Sequence, residues 1–323
     1  MNSDRQRQAA AVWLRPMLIC LCFLLPSALP PLFVWMNPLL AVPVFLLFET
    51  AASERQAAAQ LRNGLLAAAA AVLLIGRTGQ FAASLTMLPL GWALHRSERQ
   101  GIPPAAAGGI GLAALSLSWL LFWGIYGLSA GFNPCSSLQL ALVSSIDQTA
   151  AVWREMPDLP ADALYNLELL AAWLREFLPR VLPGLLAAAA AFTVWLNMVI
   201  GNRLLRRLRS EQSAWPKFQY WRLPDALIWL LIAAVSIALA AADSLKDVGC
   251  SLIVVSGLLY FFQGAAVFIH MLHRWNVPLF WRIVLYLTVT AQGYGILLLA
   301  VTGVADTWAD FRRLTRPADG SFE

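Results

Sequence analysis

Long nonpolar runs separated by short charged connections organise the chain from Met17 to Val304. An α-helix needs about 20 nonpolar residues to cross the hydrocarbon core of a bilayer. Five runs reach that length, Pro104–Leu128, Val181–Ile200, Leu223–Ala242, Val248–Leu272 and Val277–Val304, and each is bounded by charge or by Pro/Gly. The earlier runs are more broken. Met17–Trp35 contains Pro26, Pro30 and Pro31, while Pro38–Phe48, Gly64–Gly76 and Phe81–Leu94 are short and need their flanks, with Arg62 and Arg96 snorkelling to the interface. The pattern predicts an all-α, polytopic transmembrane helical bundle of nine spans, or eight if one short run is re-entrant.

One stretch between spans has a different period. Leu164, Leu167, Leu170, Leu174 and Phe177 recur at spacings of three and four, Trp173 widens the stripe, and Asp162, Asn166, Arg175 and Glu176 fall mostly on other faces. Ser136–Met156 shows a looser version, and Pro157-Asp158-Leu159-Pro160 separates the two. This predicts an external amphipathic helical hairpin, either packed on the bundle or headgroup layer, or serving as a lid or docking surface. The expected organisation is residues 1–130 as an N-terminal transmembrane half, 131–180 as the hairpin, and 181–323 as a C-terminal transmembrane half.

Composition agrees with lipid as the solvent. Of 323 residues 59% are hydrophobic and 13% charged, against roughly 45–50% and 25% in soluble domains. The net charge of +5 does not point to nucleic acid, because the basic residues lie in connections between spans. They set orientation instead. Asn202–Arg222 carries Arg203, Arg206, Arg207, Arg209, Lys217 and Arg222 against Glu211 alone, which predicts a cytoplasmic side. Alternation from there puts fifteen of the 23 Lys and Arg inside, and places the acidic hairpin and the C-terminus outside. Arg5 and Arg7 precede a run interrupted by Arg15-Pro16 with no small-x-small cleavage site, so a first span is expected rather than a removable signal. Gly-Leu-Leu-Ala-Ala-Ala-Ala-Ala occurs at Gly64–Ala71 and again at Gly184–Ala191; in so Ala- and Leu-rich a chain this is read as coincidence, with the small residues marking tight helix contacts.

From the hairpin onward the chain resembles the YybS-like family of bacterial membrane proteins, a domain of unknown function. The resemblance rests on Gly131-Phe132-Asn133-Pro134, Leu182-Pro183-Gly184, Asn202–Leu208, Trp221-Arg222-Leu223-Pro224, Gln263–Val267 with His273–Pro278, and the terminal Gly303–Arg313. That family is distantly similar to the substrate-binding S components of energy-coupling-factor transporters. The resemblance implies a bacterial cytoplasmic (inner) membrane protein that captures a small molecule without ATP hydrolysis. Met17–Trp35 holds a single alanine, Ala28, where S components usually carry an Ala-x-x-x-Ala coupling face.

No phosphate loop, His-Glu-x-x-His or nucleophilic triad is present, so no catalytic residues and no cofactor are expected. Polar residues at membrane depth are the better pointers. Gln263 and Gln292, with Tyr260 and Tyr294 nearby and Asn197 in an earlier span, either bond one another as helix glue or line a substrate site. Arg77 is either a snorkelling turn residue or a contact for an anionic substrate. Asp306 and Asp310 lie one helical turn apart, as an ion relay or as an end-cap neutralised by Arg313. His270 and His273 fit interface anchoring better than a metal site. Four cysteines are too scattered for a disulfide scaffold or zinc site; Cys135 and Cys250 share the outer face and pair only if the fold joins them. The expected partners are the lipid bilayer, a small-molecule ligand, and a membrane or cytoplasmic protein. The reading is a non-enzymatic protein that binds or moves a small molecule through an outward-facing site. The competing reading is an accessory scaffold that docks a protein by its basic loop or external hairpin.

Overall fold

A computed structural model describes residues 2–156, 159–209, 213–240 and 243–312, and the described residues are helical with no strand. Pro157, Asp158, Glu211, Arg313 and Arg316 therefore lie outside the described residues.

The prolines break the first nonpolar run. Helix α1 (Asn2–Ala28) ends before Leu29, whose non-helical backbone precedes Pro30-Pro31, and the chain bends by 115° into α2 (Pro30–Phe33) and a 3-10 segment, Val34–Leu39. Next come α3 (Ala41–Thr50), too short to span, and α4 (Glu54–Ile75). The Ser53 hydroxyl caps α4 by accepting from Gln56 N, and Gly76, at φ +76°, ends it in the left-handed region that glycine enters without strain. The expected span Phe81–Leu94 is instead two short helices, α5 (Thr78–Leu85) and α6 (Leu88–Arg99), separated just ahead of Pro89.

The longer runs form long helices. Helix α7 (Pro104–Ala130) leads to the hairpin α8 (Pro134–Arg154) and α9 (Ala161–Arg180), then to α10 (Leu182–Leu208). Asn133 starts α8 by accepting from Cys135 N at 3.0 Å, with Pro134 at the first helical position. Ala150 and Ala171 are buried in the hairpin, and Arg154–Glu168 and Arg175–Asp147 bridge it at 2.8 and 2.6 Å. A 3-10 turn (Phe218–Tyr220) precedes α11 (Leu227–Ala240), α12 (Asp243–Arg274), α13 (Leu279–Ala291) and α14 (Gly293–Ala309). The last nonpolar run is not one helix: Gln292 is extended, and α13 and α14 bend by 102° about it.

Four helices are long and nonpolar enough to cross a bilayer, within α4, α7, α10 and α12, and each bent pair adds one to give six. Helix length therefore accounts for fewer than the nine runs in the sequence, with α3 and α11 as shorter nonpolar helices. Leu74, Leu128 and Leu239 are more than 80% exposed, a surface suited to lipid and costly in water.

Two compact units divide the chain, Met1–Phe122 with Ala190–Arg222, and Trp123–Ala189 with Leu223–Glu323. The first unit is packed around Phe23, Phe45, Leu90, Leu94, Leu205 and Trp215. Its arginine-rich stretch is more than a solvated loop. Trp215 stacks on Phe45 with centroids 5.9 Å apart and donates through Nε1 to Ile102 O, while Asn202 Nδ2 holds Pro216 O at 2.8 Å. In the repeated octapeptide, Gly64 lies against Pro16 and Ile19 of α1, and Gly184 against Ser251 of α12, where a Cβ would not fit; the small residues do mark tight helix contacts.

Candidate functional site

In the second unit two glycines set the geometry. A Cβ at Gly264 would overlap the backbone of Leu299, and one at Gly303 that of Tyr260, so α12 and α14 cross with their backbones in contact. That crossing puts Gln263 Nε2 3.2 Å from Asp306 Oδ2. Helix α14 ends at Ala309, and Asp310 turns the chain back through a left-handed conformation, φ +40°. The return brings Arg312 Nη2 to 2.7 Å from Asp306 Oδ2 and Phe311 N to 3.1 Å from Oδ1. Gln263 Oε1 accepts from Leu223 N at 3.3 Å, tying the start of the α11 segment to the same point. Both side chains of the Asp306–Arg312 pair are at least 98% buried. Enclosing a carboxylate is costly without a hydrogen-bonded cation, and Arg312 supplies one.

Gln263, Tyr260 and Asp306 thus come together, and the Tyr260 hydroxyl lies beside Thr307. Gln292 and Tyr294 do not join them. Both are exposed at the break between α13 and α14, so Gln263 bonds Asp306 and Leu223 rather than Gln292, whose bonding to it was one of the two readings. Asp310 caps α14 from outside the helix, so it does not share a helical face with Asp306. Asn197 is buried in the first unit, where Nδ2 donates to Pro38 O at 2.5 Å and Thr193 O at 2.7 Å, cross-linking α10 to the 3-10 segment. Arg77 is exposed at the start of α5. His273 Nδ1 donates to Ile269 O, and among the described residues no group of three His, Cys, Asp or Glu is arranged to hold a metal ion. All four cysteines, Cys135 and Cys250 included, are free thiols.

A second buried charged cluster, in the first unit, was not anticipated. Glu49, at the end of α3, has a fully buried side chain; its Oε1 lies 2.5 Å from His95 Nδ1 on α6, and its Oε2 lies 2.9 Å from Arg209 Nη1 after α10. Arg209 Nη2 also donates to the Glu49 carbonyl. Nearby, Glu98 Oε1 accepts from Ala214 N at 2.9 Å, and the single Ser213 O–H is within reach of both Glu98 Oε1, at 3.3 Å, and Asn202 Oδ1, at 2.9 Å. The same end of the unit thus holds two buried carboxylates, each given donors by the stretch that follows α10.

A family model described as "Predicted membrane protein (DUF2232)" matches residues 17–307. The chain belongs to this family. Neither a curated protein nor a solved structure matches it. The DUF2232 match takes in Glu49, His95, Arg209, Gln263 and Asp306, whereas Arg312 lies just beyond it. This DUF2232 protein is therefore a multi-pass helical membrane protein with two buried ionic clusters, one per unit. In sequence the first cluster was marked only by Glu49 and His95, each following a short nonpolar run, and by Arg209 in the arginine-rich stretch.

Proposed function

We propose that this DUF2232 protein binds or moves a small solute in the cytoplasmic membrane of a bacterium and catalyses no reaction. The two bent helix pairs carry this reading. Discontinuous helices place half-helix ends and unsatisfied backbone groups inside a membrane protein, where they serve as solute contacts in secondary transporters. At the second break, Gln292 and Tyr294 are exposed beside Gly293, the first residue of α14. These two are the solute contacts, whereas Gln263 and Asn197 hold helices together. The positive-inside rule assigns the Arg203–Arg222 end to the cytoplasm.

The test is a cysteine at Gln292 in a background with Cys20, Cys22, Cys135 and Cys250 replaced. Reaction with a small membrane-impermeant thiol reagent, slowed by one class among vitamins, nucleosides and amino acids, is the expected result. A silent cysteine, together with no thermal shift for any of these compounds, overturns the reading. That outcome favours an accessory protein that docks a partner through its hairpin, where Tyr165, Leu169 and Trp173 are exposed.

A further inference from the structure

At the cluster around Glu49 a buried imidazole faces an exposed carboxylate. His95 is 2% exposed, with Nδ1 against the sealed Glu49 carboxylate, while its other nitrogen, Nε2, is buried without a hydrogen-bond partner. That nitrogen is aimed at Glu54 Oε1, 3.6 Å away, on a side chain that is 62% exposed. One imidazole therefore stands between a carboxylate closed to water and a carboxylate that water reaches.

We propose that Glu54, His95 and Glu49 form a proton-exchange site at the helix ends of the first unit. A swing of the surface Glu54 side chain closes the gap to Nε2. A proton taken by the Glu54 carboxylate from hydronium, which leaves water, passes to His95 Nε2 and gives the imidazolium. Nδ1 then gives its proton to Glu49 Oε1 and leaves a neutral imidazole; the reverse path returns the proton to water. Only N–H and O–H bonds form and break, and no other reactant is needed.

Fixed charges flank the path at both ends. Arg209 lies on Glu49 Oε2 at 2.9 Å, and Arg99 Nη1 is 3.4 Å from Glu54 Oε1. Arg15 donates to Thr50 O beside Glu49, and Glu98, one turn beyond His95, is held by Ser213 and Ala214. Arg96 stands over the Trp92 ring, and Phe48 covers the imidazole at 5.3 Å. Arginine stays protonated at any working pH, so neither Arg209 nor Arg99 supplies or takes the proton. An ionisable group inside a membrane protein that has both a buried and a wet partner is the arrangement of a proton relay. This site does not depend on solute binding at Gln292.

The chain has three histidines, so His270→Gln and His273→Gln leave His95 as the one imidazole for 15N-histidine NMR of the full-length protein in nanodiscs. Both ring nitrogens are expected to titrate together as one reversible proton. Glu49→Gln removes the sealed carboxylate and is expected to weaken proton binding about tenfold, and Glu54→Gln about threefold, each seen as a midpoint at lower pH. A ring locked in one protonation state wherever the protein stays folded overturns the proposal, as does a midpoint unmoved by Glu54→Gln. Glu54 is a surface residue, so that second variant decides the matter even if Glu49→Gln does not fold.

Discussion

In the second unit, Asp306 is enclosed by the Gln263 amide, the Phe311 N–H and the Arg312 guanidinium, none of which titrates in the working range of a protein. In the first unit, Glu49 faces Arg209 on one oxygen and an imidazole on the other. Both carboxylates are withdrawn from water, yet their surroundings differ in kind. The Arg312 side chain is fully buried, and the left-handed turn at Asp310 brings it back onto Asp306. Arg209 remains about one-third exposed, and the imidazole beside Glu49 leads on to the surface. Burial alone therefore does not separate a structural ion pair from an exchangeable one; the chemistry of the partners and their route to water do.

The largest expected effect follows from that contrast. Arg312→Met strands a buried carboxylate and is expected to cost about 3–5 kcal/mol of folding stability. Arg209→Met is expected to cost about 1–3 kcal/mol, because its guanidinium is partly solvated and Glu49 keeps His95. Thermal or denaturant unfolding in detergent compares the two, and equal losses would break the distinction. The double variant Asp306→Leu/Arg312→Met sharpens it: with both charges gone, most of the loss is expected to be recovered.

Next in size is the polar cross-link on each side. Gln263→Leu removes the amide that joins Asp306 to Leu223 N, and Asn197→Leu removes the donor to Pro38 O and Thr193 O. Each is expected to lower stability by about 1–3 kcal/mol. If both residues are helix glue, neither loss depends on added solute; a solute-dependent loss at either would return it to the binding site.

What could be read from the chain beforehand follows from which forces act locally. The runs at Pro104–Leu128, Val181–Ile200 and Val248–Leu272 became α7, α10 and α12, because hydropathy over 20 residues reports lipid contact directly. The three- and four-residue spacing around Leu170 likewise became α9. Phe81–Leu94 was misleading, since hydropathy does not sense the break ahead of Pro89 that yields α5 and α6. Gln263 and Asp306 were visible as polar residues in nonpolar helices, but their meeting depends on how α12 and α14 cross at Gly264 and Gly303. Glu49 and His95 lie 46 positions apart, at polar boundaries where a charge is ordinary. Trp215 was the available sign that the arginine-rich stretch folds inward, because so large an indole among basic residues needs a place to bury.

The hairpin supplies the smallest expected effect and a reference for the other two. Arg154–Glu168 and Arg175–Asp147 are as short as the buried pairs, at 2.8 and 2.6 Å, but at least one-third of each side chain is exposed. Water then solvates the separated charges nearly as well as they solvate each other, so the ion pair gains little. Arg154→Ala is expected to lower stability by no more than about 1 kcal/mol, and by less in high salt. The same unfolding assay, repeated at low and high ionic strength, checks both statements. A salt-insensitive loss as large as that of Arg312→Met would mean that the α8–α9 hairpin is covered in the membrane-bound protein, and that its exposed face is an interface.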